Sequence, residues 1–424
     1  MWYAPSPCEL SSRRLTLDFG LRSADLFFRE LVVPELGRVW FARQISWPLA
    51  ALALHEELPS QGANVPKPTA ICHGIEALAC KLEYEANSNG ETRSRRILGT
   101  RAFGYENGQD GWSFNWLRQA SNYVRNTHRQ AATRALRVEG GLGFARGSRF
   151  DLLQLEPVGR ALADVFLTQK VGQGGMTLKK WIIGWIQGEK PLPASRASFR
   201  KALSPEHATD EERALVRSRL LGTSTPASEK RQRLAHAVGR AADMPDIETA
   251  VVVRLREGGH REQASQIVAA RAFGAVLDRA RDVIAVLTSD QIGIGRRPEK
   301  LAHLAADTNI ERTLDNLRQA SASFVDKAEV AGVNEPDSRN FADAVTAADD
   351  VEVIRIVVHR VGEVLGLADD SVARGAQFRV VNGSDESGGI EDGVAKIEPD
   401  RTGRTFRIAN LHALLRDVDR RRRR

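Results

Sequence analysis

The sequence predicts a mainly α-helical, multidomain chain, and three observations carry that expectation. Its 424 residues exceed the usual size of one domain. Aromatic residues make up only 6%, while alanine, leucine, valine and arginine dominate, which favours helices over strands. Apolar residues recur at three- and four-residue spacing over most of the chain. With 42% hydrophobic and 27% charged residues, the composition can build cores and is not that of a disordered chain.

Taken in order, residues 1–86 read as a helical region, with amphipathic spacing through Ala24–Leu36, Ala42–Leu58 and Pro68–Tyr84. Residues 87–111 lose that spacing and gain Gly, Asn and Arg, reading as a basic connector with a short strand at Ile97–Phe103. Residues 112–190 form a second unit, and the proline-bearing 191–213 reads as a linker. Asp210 is placed to cap the next helix, with Glu211 and Glu212 favourable in its first turn. Residues 214–367 read as a helical bundle that oligomerises or docks a partner protein, and 214–330 show no strand signal. In Arg261–Leu287 the positions Ile267, Ala270, Phe273, Val276, Leu277, Ile284 and Leu287 make one apolar stripe. Further helices are expected over Pro298–Val330 and Asn340–Leu365. Residues 368–424 form a small α+β end: strands at Phe378–Val381, Val394–Ile397 and Arg404–Ile408, then a helix at Asn410–Val418. The tail Arg420–Arg424 is either a nucleic-acid contact or a solvated end.

The first ten residues lack a basic region followed by an apolar run, so no signal peptide is read there. The apolar run Ile45–Leu54 is too short to span a bilayer, and a cytoplasmic protein without membrane contact is expected. Cys8, Cys72 and Cys80 are odd in number and include no CxxC pair, which argues against a disulfide framework or a closed zinc site. Cys72 and His73 fall on adjacent faces of one helix and cannot both aim at one ion, so buried structural cysteines are expected, with no metal and no cofactor.

Net charge is +7, and its placement is informative. Between Glu91 and Phe150 stand eleven arginines against four acids, enough to supply the whole excess. Such a concentration suits a polyanion, because each phosphate neutralised releases counterions.

Within that segment Trp112–Ala120 reads as a helix, Ser121–Val124 as a turn, and Arg125–Gly140 as a second helix. Ala131, Ala132, Ala135 and Leu136 face inward, while Arg125, Asn126, His128, Arg129, Thr133 and Arg137 are assigned to the outer face. A strand is expected from Gly141–Phe144, a hairpin tip at Ala145–Arg149, a returning strand at Phe150–Leu155, and a helix from Pro157. The pattern, with Gly141–Leu142 after the second helix, arginines at the hairpin and Leu155–Leu162 reading LEPVGRAL, resembles winged helix-turn-helix domains of the MarR/PadR type. The resemblance covers about 60 of the 424 residues, and Glu156 stands where that family usually has threonine. It implies a recognition helix carrying the six outer residues just named, a wing carrying Arg146 and Arg149, and double-stranded DNA as partner, with Arg118 in the same set. Winged helices also serve as protein-binding modules, as in kleisin subunits.

Enzyme signatures are weak. The glycine-rich stretch after Glu139 lacks the spacing and the GK[ST] of a phosphate loop, and Gln291–Arg297 reads as a loop rather than a dinucleotide turn. No HExxH, GxSxG or DFG-type set occurs. The expectation is a non-enzymatic DNA-binding protein, either a regulator or the DNA-engaging subunit of a prokaryotic complex. A scaffold whose winged helix binds protein, beside an ATPase or nuclease partner, is the alternative. A metal-dependent nuclease using Glu391, Asp392, Lys396 and Glu398 is the third reading.

Overall fold

The computed structural model describes residues 17–420, apart from 59–64, 89–95, 105–111, 173, 190–195, 223–224, 242–245, 290, 293, 295–296 and 376–406. The chain opens with α1 (Arg22–Val32), α2 (Arg43–Glu57) and α3 (Pro68–Ser88). Every residue of α2 from Arg43 to Leu54 is buried, as expected of a helix surrounded by others. Cys72 and Cys80 are buried free thiols on α3.

The strand expected at Ile97–Phe103 is instead a helix, α4 (Thr100–Gly104). A short apolar run suits either state; here Gly99 takes a left-handed φ of +79° and the Phe103 N–H closes a turn on its carbonyl at 3.0 Å. Next come α5 (Phe114–Leu117), a 3₁₀ turn at Ala120–Asn122, α6 (His128–Leu136), β1 (Ala145–Arg146), a 3₁₀ turn at Phe150–Leu152, β2 (Gln154–Leu155) and α7 (Pro157–Leu167). The second helix of this unit is therefore shorter than Arg125–Gly140. Thr127 caps it through a box with Gln130, which leaves Arg125 and Asn126 in the turn before it and Arg137 at its C-cap. The hairpin is also reduced, because only Ala145↔Leu155 and Arg146↔Gln154 pair. Arg146 lies in the strand rather than at the tip.

β3 (Lys170–Val171) and β4 (Met176–Thr177) make a second small antiparallel pair before α8 (Leu178–Ile186). The expected linker holds α9 (Ala197–Leu203), because Phe199, Ala202 and Leu203 give an apolar face and Phe199 meets Trp181 at 4.6 Å between centroids. In α10 (Asp210–Leu221) the cap is Thr209, boxed with Glu212, rather than Asp210. α11 (Pro226–Ala241), α12 (Ile247–Glu257) and α13 (Arg261–Leu287) follow. All seven stripe positions of α13 are buried.

The region expected to lack strands contains β5 (Glu299–Lys300). Its helices are broken by aspartate caps: α14 (Leu301–Ala305) and α15 (Thr308–Val330) meet at Asp307, and α16 (Pro336–Ala347) and α17 (Asp350–His359) meet at Asp349. β6 (Leu365–Ala368) and β7 (Ser371–Arg374) complete an antiparallel sheet of order β5-β7-β6. The strand candidates Phe378–Val381 and Val394–Ile397, and Glu391, Asp392, Lys396 and Glu398, lie outside the described residues. Of the Arg404–Ile408 candidate, Arg407 and Ile408 belong to a helix, α18 (Arg407–Val418), where burying Ile408, Leu411 and Leu414 favours helical spacing.

The molecule is thus mainly helical with small antiparallel sheets. Its described residues sort into two compact units, 17–26 with 271–375 and 27–270 with 407–420, so the boundaries drawn from composition at residues 86, 111, 190 and 213 all fall inside one unit. The first unit centres on α14–α17 and the three-stranded sheet, with Arg318 of α15 bonded to the Ala348 carbonyl and paired with Asp350 at 2.6 Å. In the second, α2 packs against α3, α6, α7 and α10.

Candidate nucleic-acid interface

α6 is held at its start by a residue 52 positions upstream. The Glu76 carboxylate, fully buried on α3, accepts the backbone N–H of His128 at 3.0 Å and that of Arg129 at 2.6 Å. These donors have no intrahelical partner, so a buried acid there satisfies them and meets the positive end of the helix. Burial pushes the Glu76 pKa up to about 7 against the pull of these bonds and of the Arg129 charge. The Cys72 thiol donates to the same carboxylate at 3.4 Å, and burial raises its pKa well above the ordinary thiol value.

His128 does not face outward. It is buried among Trp40, Phe41 and Trp47, with ring centroids 5.5, 5.2 and 5.6 Å away. Its Nε2 lies 3.1 Å from the Arg96 carbonyl, the contact of a neutral imidazole donating there, and burial holds its pKa down at about 3. Burial, aided by the Arg129 charge, likewise lowers the His73 pKa to about 4.

Of the other expected contacts, Arg118, Arg125 and Asn126 are exposed in or before the turn. Arg129 and Thr133 are half-buried: the Arg129 guanidinium lies 4.9 Å from the Phe150 ring centroid, and the Thr133 hydroxyl donates to the Arg129 carbonyl at 2.8 Å. Arg137 donates through Nε to the Gly147 carbonyl at 3.0 Å. Arg146 is 72% exposed and pairs with Glu156 at 3.2 Å, while Arg149 is exposed with no acidic partner among the described residues. Gln130 and Arg134, both exposed on α6, were not anticipated, and Arg134 pairs with Glu30 at 3.3 Å.

These contacts set the geometry. Phe150 meets Arg129 near the start of α6 and Gly147 meets Arg137 at its end, so the hairpin loop lies along the helix. Asp151 fixes the loop to the start of α3, accepting from the Thr69 N–H at 2.7 Å and its hydroxyl at 2.6 Å. Behind the loop, Gly159 of α7 touches Phe144; a Cβ there would sit 2.0 Å from the Phe144 carbonyl oxygen. Gly159→Ala should therefore cost about 2–3 kcal/mol despite alanine's better helix propensity. Thermal unfolding checks this, since an unchanged or raised Tm would contradict the close approach.

No family model, no curated protein and no solved structure matches the chain. No helix among the described residues is long and apolar enough to cross a membrane.

Proposed function

We propose that the second unit binds double-stranded DNA without catalysing a reaction, through the turn before α6, the outward side of that helix and the loop between β1 and β2. The observation that supports this reading is the loop laid along α6, which puts Arg149 on the segment that flanks the helix, with Arg118 and Arg125 exposed in the turn that precedes it. A short helix can enter a major groove while an adjacent basic loop meets phosphates, and arginine suits both roles. On this reading the element order α5, α6, β1, β2, α7 is that of a winged helix, in a regulator or in the DNA-engaging subunit of an assembly.

Fluorescence anisotropy on a duplex of about 25 base pairs tests it, with NaCl varied from about 50 to 200 mM. Arg125→Ala with Arg149→Ala should weaken binding by about tenfold or more and reduce the salt slope by about 1.8, near 0.9 for each lost phosphate contact. Absence of salt-dependent affinity in the wild type would falsify the proposal. One observation favours a protein partner instead: Leu152, in the same loop, is 68% exposed. On that reading Leu152→Asp abolishes partner binding and the arginine pair has no effect on DNA.

A further inference from the structure

Away from that face, α11 and α12 enclose a cleft of about 360 Å³. Its floor is Ala237 and Leu255, both nearly fully buried. Around it stand Arg233, His236, Arg240, Arg254 and His260, with Gln232, and among the described residues no acidic one lines it. The arrangement follows from helix periodicity. Arg233, His236, Ala237 and Arg240 occupy positions i, i+3, i+4 and i+7, so three cationic or titratable side chains share one face of α11 with a single small residue between them. Arg254 comes from the last turn of α12. His260 follows Gly258 and Gly259, whose left-handed φ of +81° turns the chain back over the cleft.

Like charges on one helix face disfavour each other, and three arginines from two helices repel further. Intramolecular neutralisation is partial. Arg254 pairs with Glu257 at 2.9 Å, and Arg233 reaches Glu229 at 3.8 Å and Gln263 at 3.2 Å. Arg240 has no acidic partner among the described residues. The cleft thus holds unmatched guanidinium donors above an apolar floor, in a volume at the lower end of ligand pockets. Guanidinium groups match phosphoryl oxygens in fork geometry. Among the described residues no Phe, Tyr or Trp lines the cleft, so they offer no broad platform for stacking a base.

We infer that this cleft binds closely spaced phosphoryl groups, held by Arg240, Arg254 and Arg233. The inference does not rest on DNA binding by the α6 face. Two sources carry such groups: a free oligophosphate and the backbone of a nucleic acid.

Inorganic tripolyphosphate titrated into the full chain at low salt, followed by calorimetry, is the test. Saturable binding near one per chain is expected. Arg240→Ser with Arg254→Ser should weaken it at least tenfold, about the worth of one charge-assisted bond. Arg256→Ser, an exposed arginine of α12 that does not line the cleft, should change it less than twofold, and circular dichroism should show all variants folded. No saturable heat, or equal weakening by Arg256→Ser, overturns the inference. If the double variant unfolds, Arg240→Ser alone decides, because its side chain is exposed: affinity equal to wild type overturns the inference, and a several-fold loss upholds it. A duplex-DNA arm separates the sources. Displacement of DNA by tripolyphosphate, lost in the double variant, assigns the cleft to a nucleic-acid backbone; tripolyphosphate binding without displacement assigns it to a free oligophosphate. Failure of the α6 proposal leaves calorimetric binding of tripolyphosphate intact, so the two proposals fail separately.

Discussion

Glu212→Ala is expected to destabilise the second unit by about 3–5 kcal/mol, because it strands a buried guanidinium. Arg43 and Glu212 are both fully buried and pair at 2.8 Å. Arg43 also donates to the carbonyls of Ala202 and His207, the latter at 2.7 Å, and lies 5.0 Å from the Phe166 ring centroid. Its pKa is lowered by burial, with Glu212 opposing that shift, so the carboxylate is what makes the charged form tolerable. The same carboxylate accepts the Thr209 N–H at 2.8 Å and thereby starts α10. Arg43→Met combined with Glu212→Leu should cost less than Glu212→Ala alone, since it removes both charges and keeps apolar volume. Urea unfolding of the wild type, Glu212→Ala and the double variant checks this, and adding Arg43→Met and Glu212→Leu singly completes a double-mutant cycle. A double variant no more stable than Glu212→Ala would show that the stranded charge is not the source of the loss.

Glu76→Gln should carry the second large effect, about 2–3 kcal/mol near neutral pH, because one amide oxygen replaces two carboxylate oxygens and an NH₂ then opposes a backbone N–H of α6. Amide hydrogen exchange should quicken first at His128 and Arg129. The substitution also alters the pH dependence. The Glu76 pKa near 7 stands above its ordinary 4.5, so its contribution is complete below 4.5 and is lost as pH rises through 7. His128 near 3 and His73 near 4 stand below their ordinary 6.5, so their contributions are present above 6.5 and are lost as pH falls. Between pH 7 and 5 the carboxyl gains about 2 kcal/mol while each imidazole loses about 2. The wild type should therefore weaken by about 2 kcal/mol over that window, and Glu76→Gln by about 2 kcal/mol more. Parallel stability curves for the two proteins would remove Glu76 from the balance.

Helix positions were legible where amphipathic spacing is long. The α13 stripe reads directly from the sequence, as do α2 and α3. Breaks were harder, because apolar spacing continues across Asp307 and Asp349 and the caps themselves carry the signal. His128 shows a different difficulty. It stands three, four and seven residues before Ala131, Ala132 and Ala135, which is the inward stripe, so its burial follows from spacing that its polarity obscures. Glu76 offered no such signal: an acid on a buried helix acquires its role only when α6 arrives from 52 residues away. The same holds for Arg43 and Glu212, 169 residues apart. Composition marked Arg118, Arg125 and Arg149 as basic and exposed, but could not show that Arg137 and Arg146 are engaged with Gly147 and Glu156.

Asp417 of α18 accepts the Ala42 N–H at the head of α2 at 2.8 Å, across 375 residues of sequence, and pairs with Arg96 at 2.9 Å. For a chain made from its N-terminus this imposes a waiting time. The 271–406 stretch, most of it belonging to the other unit, is synthesised between the body of this unit and its last helix; at ~5–20 residues per second that takes on the order of ten seconds. Throughout that interval the head of α2 lacks its acceptor and Arg96 its carboxylate. Chains truncated after residue 270 should accordingly expose α2 to protease, and chains that include α18 should not.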